Sequence, residues 1–503
     1  MDARTSYDEL INLSKQTALL ASCEALLSWE QQTYMPPGGV EHRGNQLALL
    51  AGMIHEQRTD PKIGDLLGEL EASDLTGKPD AVEAVNIREL RRVYDRATKL
   101  PRALVEEFAK TTTVAERCWA EARVKDNFPA FEPHLARIID LSRQMAECYG
   151  YESSPYDALM DSYEPGATCE QVTALFGRIK EGLVPLVASI IASPKQPDES
   201  IVRRNYPVDR QEILGEAAAA AIGFDFQKGR LDRTAHPFCS TIGPGDIRLT
   251  TRYNPVYFND SFFSILHEAG HGLYEQGLLE EHFGTPMGEA VSLGIHESQS
   301  RLWENAVGRS HSFWRHFYPR TRQVFHATLH DVALEDFHFA INRVKPSLVR
   351  VDADEVTYNL HVLIRFEVEQ AMLSGDLPIA DVPAAWNQKY QDYLGVTPPS
   401  SKDGCLQDVH WSIGAIGYFP TYTLGNVYAA QLMNQAEESL GSLDELYAAG
   451  EFHPLLTWLR EQVHAHGQCY RSAELVERVT KKAPDETALL ESLRSKFGQL
   501  YDL

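Results

Sequence analysis

Apolar residues recur at three- and four-residue spacing along most of this chain, the signature of amphipathic helices. The pattern predicts helices over 8–30, 83–99, 101–124, 129–149, 168–192 and 209–222, then over 259–278, 289–308, 324–344, 354–374 and 426–440. Breaks fall at Met35-Pro-Pro-Gly-Gly39, Thr76-Gly-Lys-Pro79, Ser193-Pro-Lys-Gln-Pro197 and Thr397-Pro-Pro-Ser-Ser-Lys-Asp-Gly404, where glycine and proline punctuate the chain. None is long enough for a flexible interdomain linker, and no repeat or low-complexity tract interrupts the pattern. One stretch departs from helical spacing. From His236 to Tyr253 two extended runs flank Gly243-Pro-Gly-Asp246, which predicts a hairpin with a longer turn and thus a small antiparallel β-sheet. Such a sheet edge either holds an extended peptide through main-chain hydrogen bonds or is purely structural.

The helix after the hairpin carries the chemistry. Residues 262–277 read FFSILHEAGHGLYEQG, with Asn259 or Asp260 as candidate caps. His267 and His271 are four apart, so both imidazoles leave one helix face and can bind one tetrahedral zinc. Glu268 points beside the metal, where it can take a proton from metal-bound water. Gly270 and Gly272 are poor helix formers, each costing about 1 kcal/mol relative to alanine. Their presence predicts that something approaches the backbone closely. With 18 histidines in the chain, the bare His-Glu-x-x-His pattern arises by chance in roughly one chain in twenty. Its apolar flanks on a predicted helix raise its weight.

A third ligand is required. Glu297, in Gly294-Ile-His-Glu-Ser-Gln-Ser300, opens a second helix and completes a His-His-Glu set with a fourth position open. His296 is the rival ligand. A histidine in such a place is more often a hydrogen-bonding neighbour, and Glu297 alone could equally be a solvated helix charge.

Composition narrows the setting. The net charge of −24, from 47 basic and 71 acidic residues, disfavours nucleic acid and anionic lipid as partners. A length of 503 residues predicts more than one structural lobe, because single cores stop growing near about 250–300 residues. The start MDARTSYDEL lacks the form of a secretory signal, and Leu183–Ala192 is about half a membrane span broken by Pro185. Seven scattered cysteines, none two residues from another, fit reduced thiols. A soluble, cytoplasmic protein is the expectation.

Further segments then fall into a pattern. They are Trp29-Glu-Gln-Gln-Thr-Tyr-Met-Pro-Pro-Gly-Gly39, His236-Pro-Phe238, Asp246-Ile-Arg-Leu-Thr250, His267-Glu-Ala-Gly-His271, His296-Glu-Ser-Gln299, Ile364-Arg-Phe-Glu367, Asp408-Val-His-Trp411 and Gly417-Tyr-Phe-Pro-Thr-Tyr422. In this order they resemble the thermostable carboxypeptidase 1 family, the Taq-type metallocarboxypeptidases. The resemblance implies a mostly α, two-lobed helical clam like that of angiotensin-converting enzyme and neurolysin-type peptidases. Residues 1–503 would form one catalytic unit of two intertwined lobes, with a metal-binding core at about 236–425 and zinc on the floor of a deep groove.

The implied activity is release of C-terminal amino acids from peptides, with broad specificity and poor action on proline. Zinc is the implied metal, cobalt a substitute, and a homodimer the usual assembly. Recognition of a free carboxylate calls for arginine, whose planar fork fits it bidentately. Arg248, Arg301, Arg343, Arg350 and Arg365 are candidates. The resemblance selects Arg350 as anchor and Arg248 as a second group limiting substrate length. Each could instead be a structural ion pair. It also implies that His410 and Tyr418, with Tyr422 beside them, hydrogen-bond the oxyanion and substrate. Core packing is the alternative for these aromatic residues.

Overall fold

A computed structural model describes residues 2–503. Helices carry most of the chain, and a single three-stranded sheet accompanies them among the described residues. Two compact units are present, each assembled from three stretches. The first comprises Met1–Thr98, Asp198–Ile341 and Leu432–Ala483, the second Lys99–Pro197, Asn342–Gln431 and Pro484–Leu503. No helix among the described residues is long and apolar enough to cross a membrane.

Where the apolar stripe is clear, the expected helices form: Ala3–Thr33, Val82–Lys99, Arg102–Lys125, Phe128–Tyr149, Cys169–Ala192, Val208–Ala221, Phe258–Glu275 and Thr357–Ser374. The expected helix 324–344 is broken into His326–Leu329 and Leu334–Ile341. Arg204 donates to the Thr328 carbonyl at 2.7 Å, Arg322 to that of His330 at 2.5 Å and Tyr318 to that of Val332 at 2.8 Å. Side-chain donors thus take carbonyls that a continuous helix would bond to its own amides. The segment expected at 289–308 starts later, at Leu293, where the Ser292 hydroxyl accepts from the Ile295 amide at 3.0 Å as an N-cap. Helices Val40–Arg58 and His311–Val324 lie outside the expected set. In Val40–Arg58 only Ile54 is buried, so no apolar stripe exists to betray it.

The first unit's interior is aromatic. Phe258, Phe262, Trp314 and Phe337 interlock, with ring centroids 5.2 Å apart for Phe258–Phe262, 5.1 Å for Phe262–Trp314 and 4.8 Å for Trp314–Phe337. This cluster packs under the start of helix Phe258–Glu275 and fixes it. The cap expected at Asn259 or Asp260 is corrected. Tyr257 is the N-cap residue and makes no side-chain cap, while Asp260 sits in the first turn and pairs with Arg252 at 3.1 Å. A negative charge there suits the positive end of the helix dipole.

Strands β1 (Gly229–Arg233), β2 (Cys239–Gly243) and β3 (Asp246–Thr251) order as β1-β3-β2. The hairpin β2–β3 is antiparallel, with Ser240 opposite Arg248. The expected purely antiparallel sheet is corrected, because β1 adds to β3 in parallel. The turn is also shorter than expected. Only Pro244 and Gly245 lie between the strands, and Gly245 takes the positive φ of 76° that a Pro-Gly turn requires. In the second unit, helix Thr357–Ser374 is buried on nearly every side. Phe366 packs edge-on against Tyr156 at 5.4 Å and Phe176 at 5.2 Å.

Candidate active site

Helix Phe258–Glu275 carries His267, Glu268 and His271, and helix Leu293–Arg301 carries Glu297. Close approach of the two helices is possible because residue 270 is glycine. A Cβ there would lie 2.6 Å from the Gln299 carbonyl oxygen and 2.6 Å from the Ser300 Cα, inside any tolerable contact. Gly272 admits Phe224 and Leu249 of β3 in the same way, at 2.7 and 2.9 Å.

The result is a convergent donor set. Glu297 Oε2 lies 3.7 Å from His267 Nε2 and 3.5 Å from His271 Nε2. All three ligand atoms lie within 4.8 Å of one another. Two ligands of one tetrahedral zinc, each about 2.0–2.1 Å from the ion, stand about 3.4 Å apart. Two imidazoles and one carboxylate at these separations therefore fit a divalent metal.

Each ligand is held from behind. His267 Nδ1 is 3.0 Å from Glu304 Oε2. Glu304 sits in a π-helical turn, Leu302–Val307, that continues the second helix, and it pairs with Arg301 and Arg309 at 3.3 and 3.4 Å. Arg301 Nε also donates to Glu297 Oε1 at 2.7 Å, and Ser300 Oγ to Glu297 Oε2 at 3.1 Å. His271 Nδ1 meets His296 Nδ1 at 2.5 Å, and His296 Nε2 meets Glu275 Oε1 at 2.7 Å. His296, the rival ligand, thus turns its ring nitrogens to His271 and Glu275.

Burial pushes Glu268 up to about 7, with Glu297 and Glu304 adding and His267 opposing. That value suits a group that takes and returns a proton near neutrality. Burial, then His296, His267 and Arg301, hold His271 well below its ordinary range, in the neutral form a metal ligand needs. For His267 burial pulls down, but Glu297 and Glu304 outweigh it. Burial raises Glu304 less than Arg301, His267 and Arg309 lower it, so its carboxylate stays ionised.

Arg248, on β3, forms a two-pronged pair with Asp246, Nε to Oδ1 and Nη2 to Oδ2, both 2.8 Å. Its guanidinium stacks 4.2 Å from the Trp29 ring centroid.

The remaining candidates gather in the second unit. Arg350 donates through Nε and Nη2 to Asp408 Oδ1 at 3.0 and 2.9 Å, and through Nη1 to the Tyr358 hydroxyl at 2.9 Å. Arg365 donates to Asp408 Oδ2 at 2.6 Å, to Gln407 Oε1 at 2.6 Å and to the His361 carbonyl at 2.7 Å. Burial disfavours the Asp408 charge, yet these two arginines hold its carboxyl far below the usual range. His410 Nε2 lies 3.2 Å from the Tyr422 hydroxyl, and its Nδ1 has no hydrogen-bond partner among the described residues. The Tyr418 ring stands 5.3 Å from both His410 and Tyr422, centroid to centroid. Burial pushes His410 down to about 4, so it is neutral at pH 7.

Glu369 closes this cluster from below. Its carboxylate accepts from Trp411 Nε1 at 2.9 Å, the Gly417 amide at 3.1 Å and the Tyr156 hydroxyl at 2.7 Å, clamping the loop that carries His410 and Tyr418.

Sequence reasoning left Glu275, Glu304, Asp408 and Glu369 without roles. Glu275 had a signal, one helical turn beyond His271 on the same face. Glu304 had a weaker one, two turns beyond Glu297. Asp408 lay in the Asp408–Trp411 segment but had no spacing to its partners, and Glu369 had no signal, because those partners come from distant segments.

A family model, carboxypeptidase Taq (M32) metallopeptidase, matches residues 9–497. Thermostable carboxypeptidase 1 of Thermus thermophilus is 50% identical over 510 residues, covering 100% of both chains. Carboxypeptidase 1 of Bacillus subtilis is 38% identical over 501 residues, again covering 100% of each. The crystal structure of an M32 carboxypeptidase from Deinococcus radiodurans superposes with a TM-score of 0.96 at 40% identity, over 99% of this chain and 100% of that one.

Proposed function

The chain belongs to the carboxypeptidase Taq (M32) metallopeptidase family and is a metallocarboxypeptidase; from that premise we propose that it is a zinc enzyme of broad specificity, poor on proline, using Glu268 as its base. The observation that carries this reading is the convergence of His267, His271 and Glu297, with Glu268 buried on the same helix. Zinc held there supplies a Lewis acid and acidifies the attacking water, and cobalt can substitute.

The chain's own groups do the rest. Glu268 accepts a proton from the attacking water and returns it to the leaving amine as the C–N bond breaks. Tyr418 and the neutral His410 donate to the oxygen on which charge develops, and Tyr422 orients His410 and the substrate. Arg350 takes the terminal carboxylate. Its bonds to Asp408 and Tyr358 use three of the five guanidinium N–H groups, which leaves one on each Nη. Arg248, stacked and paired, limits substrate length.

Beyond the site, the proposal includes one catalytic unit of two helical lobes, similar to angiotensin-converting enzyme and neurolysin-type peptidases. It also includes a homodimer, and a cytoplasmic location supported by the free state of all seven cysteines. A blocked dipeptide with a free C-terminus, compared with its C-terminal amide, tests the activity. The acid should be favoured in kcat/KM by about 2–5 kcal/mol in transition-state binding. Equal cleavage of both would point to an oligopeptidase.

A further inference from the structure

The two ligand histidines are supported differently. His267 Nδ1 meets a carboxylate directly, Glu304 at 3.0 Å. His271 Nδ1 meets another imidazole, His296 at 2.5 Å, and the carboxylate comes only after it, Glu275 at 2.7 Å from His296 Nε2. We propose that His296 and Glu275 are positioning residues for the metal, forming a relay that fixes the tautomer and orientation of His271; the inference rests on the metal site proposed above.

A metal on His271 would set the proton arrangement. His271 Nε2 is the nitrogen turned to Glu297, 3.5 Å from its Oε2, so its lone pair must be free for the metal. A neutral imidazole then carries its hydrogen on Nδ1. That hydrogen points at His296 Nδ1, which must accept, since two N–H groups cannot face each other at 2.5 Å. With a metal on His271 Nε2, the His296 hydrogen then lies on Nε2, where Glu275 accepts it. Glu275 is the last residue of the helix that carries His267 and His271. The carboxylate's charge thus reaches His271 through one polarisable ring. Outer partners of this kind raise ligand basicity, and losing one typically weakens metal binding about 10–100-fold.

The test is the zinc dissociation constant, measured by competition with a chromophoric chelator on the full chain, alongside thermal melting of the metal-free protein. His296→Phe keeps the ring's volume and removes the acceptor; it should weaken zinc binding about 10–100-fold. His296→Asn puts a carbonyl oxygen close to where Nδ1 was and should bind zinc nearly as wild type does. A residue that only packs would give the reverse order, with Phe tolerated and Asn not. Glu275→Gln keeps an acceptor for His296 but loses the charge, and should fall between the two. It carries the test if His296→Phe does not fold. Wild-type affinity in His296→Phe, or in Glu275→Gln when His296→Phe is unfolded, overturns the relay while leaving the metal site intact. A wild-type chain that binds no zinc overturns the site and the relay together, and His267→Ala is the control for that case.

Discussion

The candidate metal centre of the first unit and the arginine cluster of the second are built on opposite plans. At the candidate metal centre, three donor atoms lie within 4.8 Å of one another, and Glu304 and Arg301 support His267 and Glu297. In the arginine cluster the charges satisfy one another. Asp408 binds Arg350 and Arg365, and Arg365 also binds Gln407. The first plan leaves a metal to be supplied; the second locks a frame of groups paired with one another. The contrast predicts that removing a group from the first region abolishes chemistry, while removing one from the second also costs stability.

Stripping the metal should have the largest effect. A chelator should abolish peptidase activity while the helical circular dichroism persists, and zinc or cobalt should restore turnover. Full activity in metal-free protein would erase the distinction between the regions.

Asp408→Asn comes next. It leaves two buried guanidinium groups without their shared charge, and breaking such a pair costs about 3–5 kcal/mol. Urea denaturation should show that loss, with zinc affinity unchanged.

Gly270→Ala should be intermediate. Its Cβ would meet backbone at 2.6 Å, and overpacking of this kind costs about 1–3 kcal/mol. Because the clash is with the helix carrying Glu297, zinc affinity should fall together with stability. A drop in stability alone would mean that the helices can separate without moving the ligand.

The smallest effect concerns pH. Burial pushes His464 down to about 3, with Arg460 and His296 adding. A histidine lowered in the fold takes its proton more readily when unfolded, so its contribution to stability is full above about pH 6.5 and is lost as pH falls. His464→Gln cannot charge. The stability difference between wild type and this variant should shrink steadily from about pH 6.5 to about pH 4, other titrating groups cancelling in the comparison.

How far each region could be read from sequence follows from the same contrast. His267 and His271 are four apart, and helical periodicity alone put both imidazoles on one face with Glu268 beside them. Glu297 needed only a second short motif. The glycines at 270 and 272 announced a close approach, and the Gln299–Ser300 backbone makes it at the first. The arginine cluster offered no such spacing. Arg350 and Asp408 are far apart in the chain, and no spacing pairs them. The helices followed the same rule. Thr357–Ser374 declared itself by apolar content, while the exposed Val40–Arg58 did not. The sheet was half legible. Its hairpin had a Pro-Gly turn, but parallel pairing of β1 with β3 has no local signature.

On the function proposed above, Glu268 moves the proton at a metal held by His267, His271 and Glu297. Glu268→Gln tests it most directly, with zinc content and turnover measured on one preparation. The account predicts about one zinc per chain and a fall in kcat of at least about 10²-fold. Loss of zinc would make Glu268 a ligand, and retained turnover would place the base elsewhere.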